Sequence, residues 1–251
     1  MRYHEVDEQP MWFYLPIIGI LVILKGRFVA QFLFFLWKVR TGRGLARSSQ
    51  AFQQLRPDGR LRILLIGDST VFGTGADDPS ATIAGCFGRD FPEAHIRNLG
   101  VNGGKVAGLA GQLAQVRDEQ YDLIVVLVGG NDVIRNTPLE AVARDIRTAL
   151  MMARQIGRQV VLLSQGNIGN APIFPWPLYH IYTRRARRLR DMFMTVANEQ
   201  NVRFVDLFLE RDADPWRRDP NRYYSADHFH PNGTGYGEWY EKIKERLTFN
   251  K

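Results

Sequence analysis

The chain has 251 residues, is 45% hydrophobic and carries a formal net charge of +7, with a pI of about 9.7. This length suits one α/β domain or two small domains, and the hydrophobic content is ample for a core. A single cysteine, Cys86, excludes an internal disulfide, and no Cys/His spacing indicates a zinc site. We therefore expect no metal and no cofactor, and we interpret Cys86 as a buried structural thiol because it lies in an apolar helical stretch.

The N-terminal region combines apolar and basic sequence. Residues 11–24 are apolar without interruption, Lys25 and Arg27 break the run, and residues 28–37 resume it. A helix as long as the first run covers about 21 Å, which is less than the roughly 30 Å of a bilayer's hydrocarbon core. If the two apolar runs are joined across the break, the segment is long enough to cross a bilayer. Two cations then lie within the span, at a cost of several kcal/mol.

Residues 11–37 predict membrane association, because such an aromatic, nearly charge-free stretch otherwise leaves a large apolar patch exposed. Three modes of membrane association fit this segment: a tilted span, a monotopic hairpin, and an interfacial helix with Trp12, Tyr14 and Trp37 at the head-group level. An amphipathic extension packed on the following domain is the alternative. Since Lys and Arg follow the apolar run, the positive-inside rule predicts a domain on the cytoplasmic side of a bacterial inner membrane.

The basic surplus of the chain is interpreted as attraction to anionic lipid head groups. A nucleic-acid partner is disfavoured, because no zinc-finger, RRM or KH signature is present. The segment 1–47 is thus predicted to be membrane-associated, residues 48–60 to be a polar linker, and residues 61–251 to form the folded domain.

Strands and helices alternate regularly along the domain. The predicted strands cover residues 61–66, 94–99, 121–128, 160–164 and 202–206, and the predicted helices cover residues 79–91, 104–119, 138–157, 184–200 and 235–247. This alternation indicates a parallel, doubly wound α/β sheet.

A polar block, Gly-Asp-Ser-Thr, directly follows the first predicted strand. Its serine, Ser69, stands at the carboxyl end of a hydrophobic strand, which is where open α/β sheets place their ligands. Taken alone the block is a weak signal, because Asp68 and Ser69 are also good helix N-caps.

Three further blocks strengthen the signal. Residues 98–104 and 129–132 each follow an apolar strand, and residues 227–231 precede the closing helix. Together the four blocks resemble the SGNH or GDSL hydrolase family, over about residues 61–247. The resemblance implies a flavodoxin-like, three-layer α/β/α sandwich with a five-stranded parallel sheet. An ordinary α/β-hydrolase and a Walker A protein are disfavoured, because neither a G-x-S-x-G elbow nor a Walker A sequence is present.

The blocks supply the groups that acyl transfer requires. The hydroxyl of Ser69 is a poor nucleophile until a base removes its proton. His230 is the candidate base, and Asp227, three residues earlier, can accept a hydrogen bond from the other ring nitrogen. His228 is the rival base, but the Asp spacing and the following Pro231 match the family at His230. The two histidines could also ligate a metal, although no third ligand is evident.

An oxyanion hole is implied by the resemblance to the family. It would consist of the Ser69 N–H, the Gly103 N–H and the side-chain amide of Asn131. The register of the glycine block is ambiguous, so that Gly100 or Gly104 is the alternative donor. The alternative role of Asn131 is that of a helix cap or a turn former.

The segment 167–182 contains three prolines and four aromatic residues after the fourth strand. We predict that it is irregular and walls the acyl or alcohol pocket. The apolar contacts expected there are Ile173, Phe174, Trp176 and Leu178. A packed surface loop is the alternative.

These observations predict a serine hydrolase of the esterase or lipase type that cleaves a carboxylic ester through an acyl-Ser69 intermediate at a membrane surface. The family resemblance also admits an acyltransferase, a thioesterase or a carbohydrate O-deacetylase. A non-catalytic membrane-bound scaffold is disfavoured, because all four blocks keep chemically competent residues. The sequence does not indicate an oligomeric state.

Overall fold

The computed structural model describes residues 15–247, with side chains described from residue 25 onward. Two compact units are present, Met1–Trp37 and Lys38–Lys251. Helix α1 (Leu15–Ser48) contributes residues to both units. The predicted head-group residues Trp12 and Tyr14, and the last four residues of the predicted domain, lie outside the described residues.

Five parallel strands form one sheet in the order β2-β1-β3-β4-β5. The strands are β1 (Arg62–Gly67), β2 (His95–Asn98), β3 (Tyr121–Leu127), β4 (Gly157–Leu163) and β5 (Arg203–Val205). This order confirms the predicted flavodoxin-like sheet. Because the order reverses between β1 and β3, a crevice for a ligand is expected at the carboxyl ends of these two strands.

The central strands are buried on both faces. Ile63, Leu64, Leu65 and Ile66 of β1 have no exposed surface, and β3 is buried in the same way from Leu123 to Leu127. A continuous apolar run of this kind is typical of a parallel strand covered by helices on both sides. The alternation of strands and helices therefore predicted the sheet correctly.

Helices cover both faces of the sheet. Helices α3 (Ile83–Asp90) and α10 (Gly233–Lys244) pack on one face, where the rings of Phe87 and Tyr240 meet at 4.9 Å. Helices α4 (Leu109–Ala114), α6 (Leu139–Ile156) and α7 (Leu178–Glu199) pack together and against the strands of the other face. Cys86 of α3 is 2% exposed and burial raises the pKa of its thiol, which confirms a buried structural role.

Some elements differ from the prediction. The predicted helix 104–119 consists of a 3₁₀ turn, Val106–Gly108, followed by the short α4. Helix α7 begins at Leu178 rather than residue 184, directly after Pro177, because proline is compatible with a helix start but not with its interior. Four short helices were not predicted: α2 (Ser69–Phe72), α5 (Gly130–Ile134), α8 (Pro215–Arg218) and α9 (Pro220–Tyr223).

The segment after α1 follows the edge of the sheet. Gln54 forms an antiparallel bridge with Ile96 of β2, with N···O distances of 3.0 and 2.8 Å. The side chain of Gln53 also exchanges two hydrogen bonds with the backbone of Asn98. These contacts occupy backbone groups that an edge strand would otherwise leave unpaired.

Within residues 15–247, no helix combines the length and the apolar character that crossing a bilayer requires.

Candidate active site

Ser69 lies at the carboxyl end of β1, as the first residue of α2. Asp68 caps this helix, and its side chain accepts hydrogen bonds from the Thr70 N–H at 3.0 Å and the Thr70 hydroxyl at 2.7 Å. Ser69 is 8% exposed, so its hydroxyl is held at the bottom of a depression in the surface.

Two buried carboxylates fix the loops around Ser69. Burial raises the pKa of Asp68, while hydrogen bonds from Thr70 oppose this shift. Asp68 also accepts a bond from Gln165 Nε2 at 3.1 Å, which connects the loop after β1 with that after β4. Asp132, after β3, accepts a bond from the Val106 N–H at 3.0 Å. Both residues thus organise loops through hydrogen bonds to the backbone.

The structure brings Ser69, His230 and Asp227 together. Ser69 Oγ lies 3.0 Å from Nε2 of His230, which is 161 positions away along the chain. Nδ1 of the same ring lies 2.6 Å from Oδ2 of Asp227. Both distances are within hydrogen-bonding range. His228, the rival in the sequence, has a positive φ of 58°, and it is His230 that reaches the serine.

The loop that carries His230 is organised around the carboxylate of Asp227. Its Oδ1 accepts bonds from the Ser225 hydroxyl at 2.8 Å, the Phe229 N–H at 2.9 Å and the His230 N–H at 3.0 Å. Asp227 is 1% exposed, and this burial raises its pKa. The hydrogen bonds from His230 and Phe229 and the charge of His230 lower the pKa by more, so that the carboxyl pKa lies below its usual value. Asp227 is therefore a carboxylate at neutral pH.

A close backbone approach joins this loop to the β1 loop. Gly75 has a φ of 101°, and a Cβ there would lie 2.4 Å from the Pro231 carbonyl oxygen and 2.8 Å from His230 Cβ. Only glycine accommodates this conformation and this contact. The buried hydroxyl of Tyr236, on α10, donates to the Thr74 carbonyl at 2.7 Å and holds the same two segments together.

The glycine block and Asn131 lie beside the Ser69 loop. Asn131 Nδ2 donates to the Gly104 carbonyl at 3.0 Å. The Gly100 N–H donates to Asn98 Oδ1 at 2.9 Å, and the Gly104 N–H donates to the Val101 carbonyl at 2.9 Å. The two alternative oxyanion donors are thus engaged within the turn.

A cavity of about 60 Å³ opens beside Ser69. Asn131 and His230 line it together with the serine. Its apolar wall is formed by Ile168, Ala171, Leu207, Trp216, Phe229 and Trp239. This volume is larger than the roughly 10–15 Å³ that a cavity needs in order to hold one water molecule. A small acyl group therefore has room there.

The four predicted pocket residues do not line this cavity. Trp176 is 72% exposed, Leu178 starts α7, and Ile173 and Phe174 are buried in the supporting layer. The Ile173 N–H donates to the His228 carbonyl at 3.3 Å, and the Phe174 ring packs against Phe229 at 5.9 Å. These four residues thus do not wall the pocket, and Ile173 and Phe174 instead pack against the loop of His230. The predicted wall is provided by other residues of the same segment, Ile168 and Ala171.

Sequence reasoning missed most of the cavity wall. Ile168 and Ala171 lie in the segment 167–182, but upstream of the four residues that were predicted to line the pocket. Trp216 and Trp239 stack at 5.1 Å, from α8 and α10 respectively. No local pattern in one sequence indicates that such distant residues meet. Within the described residues, no group of His, Cys, Asp and Glu side chains is arranged to hold a metal ion.

A Ser–His–Asp cluster at the switch point of a flavodoxin-like sheet defines a candidate site for a serine hydrolase. Residues 65–237, more than half of the chain, match the model of the GDSL-like Lipase/Acylhydrolase family. The chain therefore belongs to this family of ester hydrolases. A search of curated proteins found no match.

Several solved structures share the fold. A lipase/acylhydrolase from Enterococcus faecalis is 24% identical with a TM-score of 0.58, covering 76% of this chain and 99% of its own. A lipolytic protein of the G-D-S-L family from Veillonella parvula DSM 2008 is 18% identical with a TM-score of 0.57, covering 74% and 97%. A catalytic mutant of an acetylxylan esterase from Geobacillus stearothermophilus is 18% identical with a TM-score of 0.57, covering 79% and 98%.

The lowered pKa of Asp227 predicts a specific acid sensitivity. Because its folded-state pKa is depressed, ionised Asp227 contributes stability that is complete above the usual aspartate pKa and is lost as the pH falls through the folded-state pKa. We expect the difference in unfolding free energy between wild type and Asp227→Asn to be constant near neutrality and to shrink in that acid window. Urea unfolding over a pH series measures it. Asp118→Asn, at an exposed carboxylate, is the control, and a difference that stays constant into strong acid would contradict the prediction.

Proposed function

We propose that the protein hydrolyses a carboxylic ester through an acyl intermediate on Ser69. The observation that carries the proposal is the pair of contacts from Ser69 Oγ to His230 Nε2 at 3.0 Å and from His230 Nδ1 to Asp227 Oδ2 at 2.6 Å. These contacts give the serine a neighbouring base and give the base a fixed orientation.

In the first step Ser69 Oγ attacks the ester carbonyl while His230 Nε2 accepts the hydroxyl proton. Asp227 stabilises the resulting imidazolium through Nδ1 and stays ionised throughout. The tetrahedral intermediate collapses, the alcohol leaves with the proton from His230, and the acyl group remains on Ser69. In the second step a water gives a proton to His230 and attacks the acyl carbon. The bond to Ser69 Oγ then breaks, His230 returns the proton to this oxygen, and the carboxylic acid leaves.

Three donors are proposed for the oxyanion of each tetrahedral intermediate: the Ser69 N–H, the Gly103 N–H and Asn131 Nδ2. The turn bonds of the Gly100 and Gly104 amides favour Gly103 over these alternatives. Asn131 Nδ2 carries two hydrogens, and its bond to the Gly104 carbonyl uses one of them while it fixes the amide plane. Loss of one such donor typically costs about 3–4 kcal/mol of transition-state stabilisation.

Substitution of the reacting groups tests the mechanism. Ser69→Ala and His230→Ala should each lower kcat for p-nitrophenyl esters by roughly four orders of magnitude, because nucleophile and base act as a unit. His228→Asn is the matched control in the same loop, since asparagine tolerates the positive φ at this position. It should retain most of the activity. Equal losses in the two histidine variants would reject His230 as the base.

The size of the cavity supports a short acyl group. Its apolar wall lies next to Ser69. The Ile168 side chain packs close to Gly130, the residue before Asn131, since a Cβ built on Gly130 would lie 3.5 Å from Ile168 Cδ1. A structural neighbour that is an acetylxylan esterase also acts on a small acyl group, as its name states. We therefore propose an acetyl or similarly short acyl ester as the substrate.

An acyl-length series tests this proposal. For the wild type, kcat/KM should fall as the acyl chain grows beyond a few carbons. Ile168→Ala should move the optimum to longer chains, because it enlarges the cavity next to the serine. Trp176→Ala is the control, since Trp176 is exposed and does not line the cavity. A change of preference in Trp176→Ala but not in Ile168→Ala would contradict the assignment.

We also propose that α1 attaches the protein to a membrane surface. Its described N-terminal part exposes a series of large apolar side chains, namely Phe28, Val29, Phe32, Leu33, Leu36 and Trp37. An exposed apolar surface of this kind indicates a lipid or protein partner. Lys25 and Arg27 precede these side chains and Arg40 and Arg43 follow them, which favours an anionic surface such as the cytoplasmic leaflet of a bacterial inner membrane. An interfacial helix whose apolar side chains contact the lipid acyl chains and whose basic side chains contact the head groups satisfies both features.

Vesicle flotation tests this attachment. The wild type should float with vesicles that contain anionic phospholipid and should do so less with neutral vesicles. Phe28→Ser combined with Phe32→Ser should lower the bound fraction, because both rings are exposed on α1. Met151→Ser, at an exposed apolar residue of α6, is the control. A wild type that stays unbound with both vesicle types would refute the proposal.

A further inference from the structure

The last turns of α1 contact the loops of the candidate active site. Lys38 Nζ donates to the Ala226 carbonyl at 2.8 Å, directly before Asp227. Eight residues later along α1, the Ala46 carbonyl accepts a bond from Asn102 Nδ2 at 3.0 Å, directly before Gly103. One helix therefore reaches both the loop of the proposed triad and the loop of the proposed oxyanion donor.

Gly42 lies between these two contacts. A Cβ at Gly42 would lie 2.9 Å from Oδ2 of Asp227, which is closer than real Cβ contacts. Lys38, Gly42 and Ala46 are spaced by four residues and so share one face of the helix. We call this face the α1 brace.

The contact at Gly42 involves the oxygen that matters for the chemistry. Asp227 Oδ2 is the atom that meets His230 Nδ1 at 2.6 Å. The other carboxylate oxygen is held by three donors of its own loop, so the side chain cannot turn aside without losing bonds. The helix surface at Gly42 thus limits where Oδ2 can lie.

Lys38 is an unusual residue for this position. It is 5% exposed, and burial lowers the pKa of its ammonium group while the charge of Asp227 opposes the shift. A buried ammonium is a poor choice for stability alone, because its desolvation offsets much of what its partners contribute. The position of Lys38 is better explained by its hydrogen bond to the Ala226 carbonyl, which holds the loop of Asp227 in place.

We propose that the α1 brace, formed by Lys38, Gly42 and Ala46, is a positioning element that sets the Asp227 carboxylate against His230. The inference rests on the function proposed above. It assigns a role in the reaction to residues outside 65–237, the part of the chain that matches the family model. The brace touches neither the cavity nor Ser69, so its effect passes through Asp227 and the neighbouring loop.

A pair of glycine substitutions tests the brace. Gly42→Ala should displace Asp227 Oδ2 by about half an ångström and lower kcat about tenfold, which is less than the roughly 100-fold loss that a 1 Å misplacement can cause. KM should stay unchanged, because Gly42 does not line the cavity. Gly44→Ala is the matched control: it lies in the same helix, and a Cβ there meets nothing within 4 Å. Both substitutions add the same helix-favouring methyl group, so only the contact with Asp227 distinguishes them.

Lys38→Met gives a second, independent readout. Methionine has a similar shape but no charge, so it removes the bond to the Ala226 carbonyl and also the cost of burying an ammonium group. We expect kcat to fall with KM unchanged, while the thermal midpoint stays equal or rises. Arg47→Met, at an exposed residue of the same helix, should leave kcat and KM unchanged.

Several outcomes would overturn the inference. The first is a kcat equal to that of the wild type in both Gly42→Ala and Lys38→Met. The second is an equal fall of kcat in Gly42→Ala and Gly44→Ala. The third is an effect that is confined to KM. If Gly42→Ala fails to fold, Lys38→Met alone decides. Ser69→Ala, measured in parallel, separates the two proposals: retained activity in that variant rejects the proposed function. An inactive Ser69→Ala beside a fully active Gly42→Ala rejects only the brace.

Discussion

The site depends on keeping one buried carboxylate charged. Asp227 is 1% exposed, and a carboxylate in such a place is stable only if hydrogen bonds replace the lost water. The Ser225 hydroxyl, two backbone amides and the His230 ring supply those bonds. The same bonds define the shape of the loop, so the charge, the loop conformation and the direction of the imidazole ring are one arrangement. Protonation of Asp227 would weaken all three together.

The order of the strands explains how distant residues reach this carboxylate. The loops after β1, β2 and β3 meet because these strands are neighbours, and they supply Ser69, Gly103 and Asn131. The histidine comes from none of these strands. It is delivered by the turn before α10, which the Tyr236–Thr74 bond and the contact at Gly75 hold against the β1 loop. The sheet therefore carries the proposed oxyanion donors, and the turn before α10 carries the proposed base.

The sequence predicted those features that a local pattern encodes. Continuous apolar runs identified β1 and β3, because a strand covered on both faces has no polar positions. The polar blocks identified the residues that the structure brings together, because each block directly follows a strand or precedes a helix. In Asp-x-x-His the spacing itself predicted the contact between Asp227 and His230, since one tight turn spans it.

Features that depend on contacts between distant segments could not be predicted in this way. The cavity wall combines residues from the loop after β4, the segment after β5, α8 and α10, and no periodicity links them. Trp176 is an apolar residue of the segment after β4 and was therefore expected in the pocket, but burial depends on the path of the chain, and the chain leaves it 72% exposed. The end of α1 looked like part of an apolar and basic extension, yet Lys38 is buried against Ala226.

The wall of the cavity and the ring of His230 are parts of one structural unit. Trp216 and Trp239 stack, and Trp216 Nε1 donates to Glu238 of α10 at 2.9 Å, so the aromatic wall is attached to the helix that starts directly after the His230 loop. Phe229 continues this wall, and its ring meets that of His230 at 4.9 Å. A displacement of these rings would also move the imidazole. The proposed preference for a short acyl group and the orientation of the proposed base would therefore depend on the same packing.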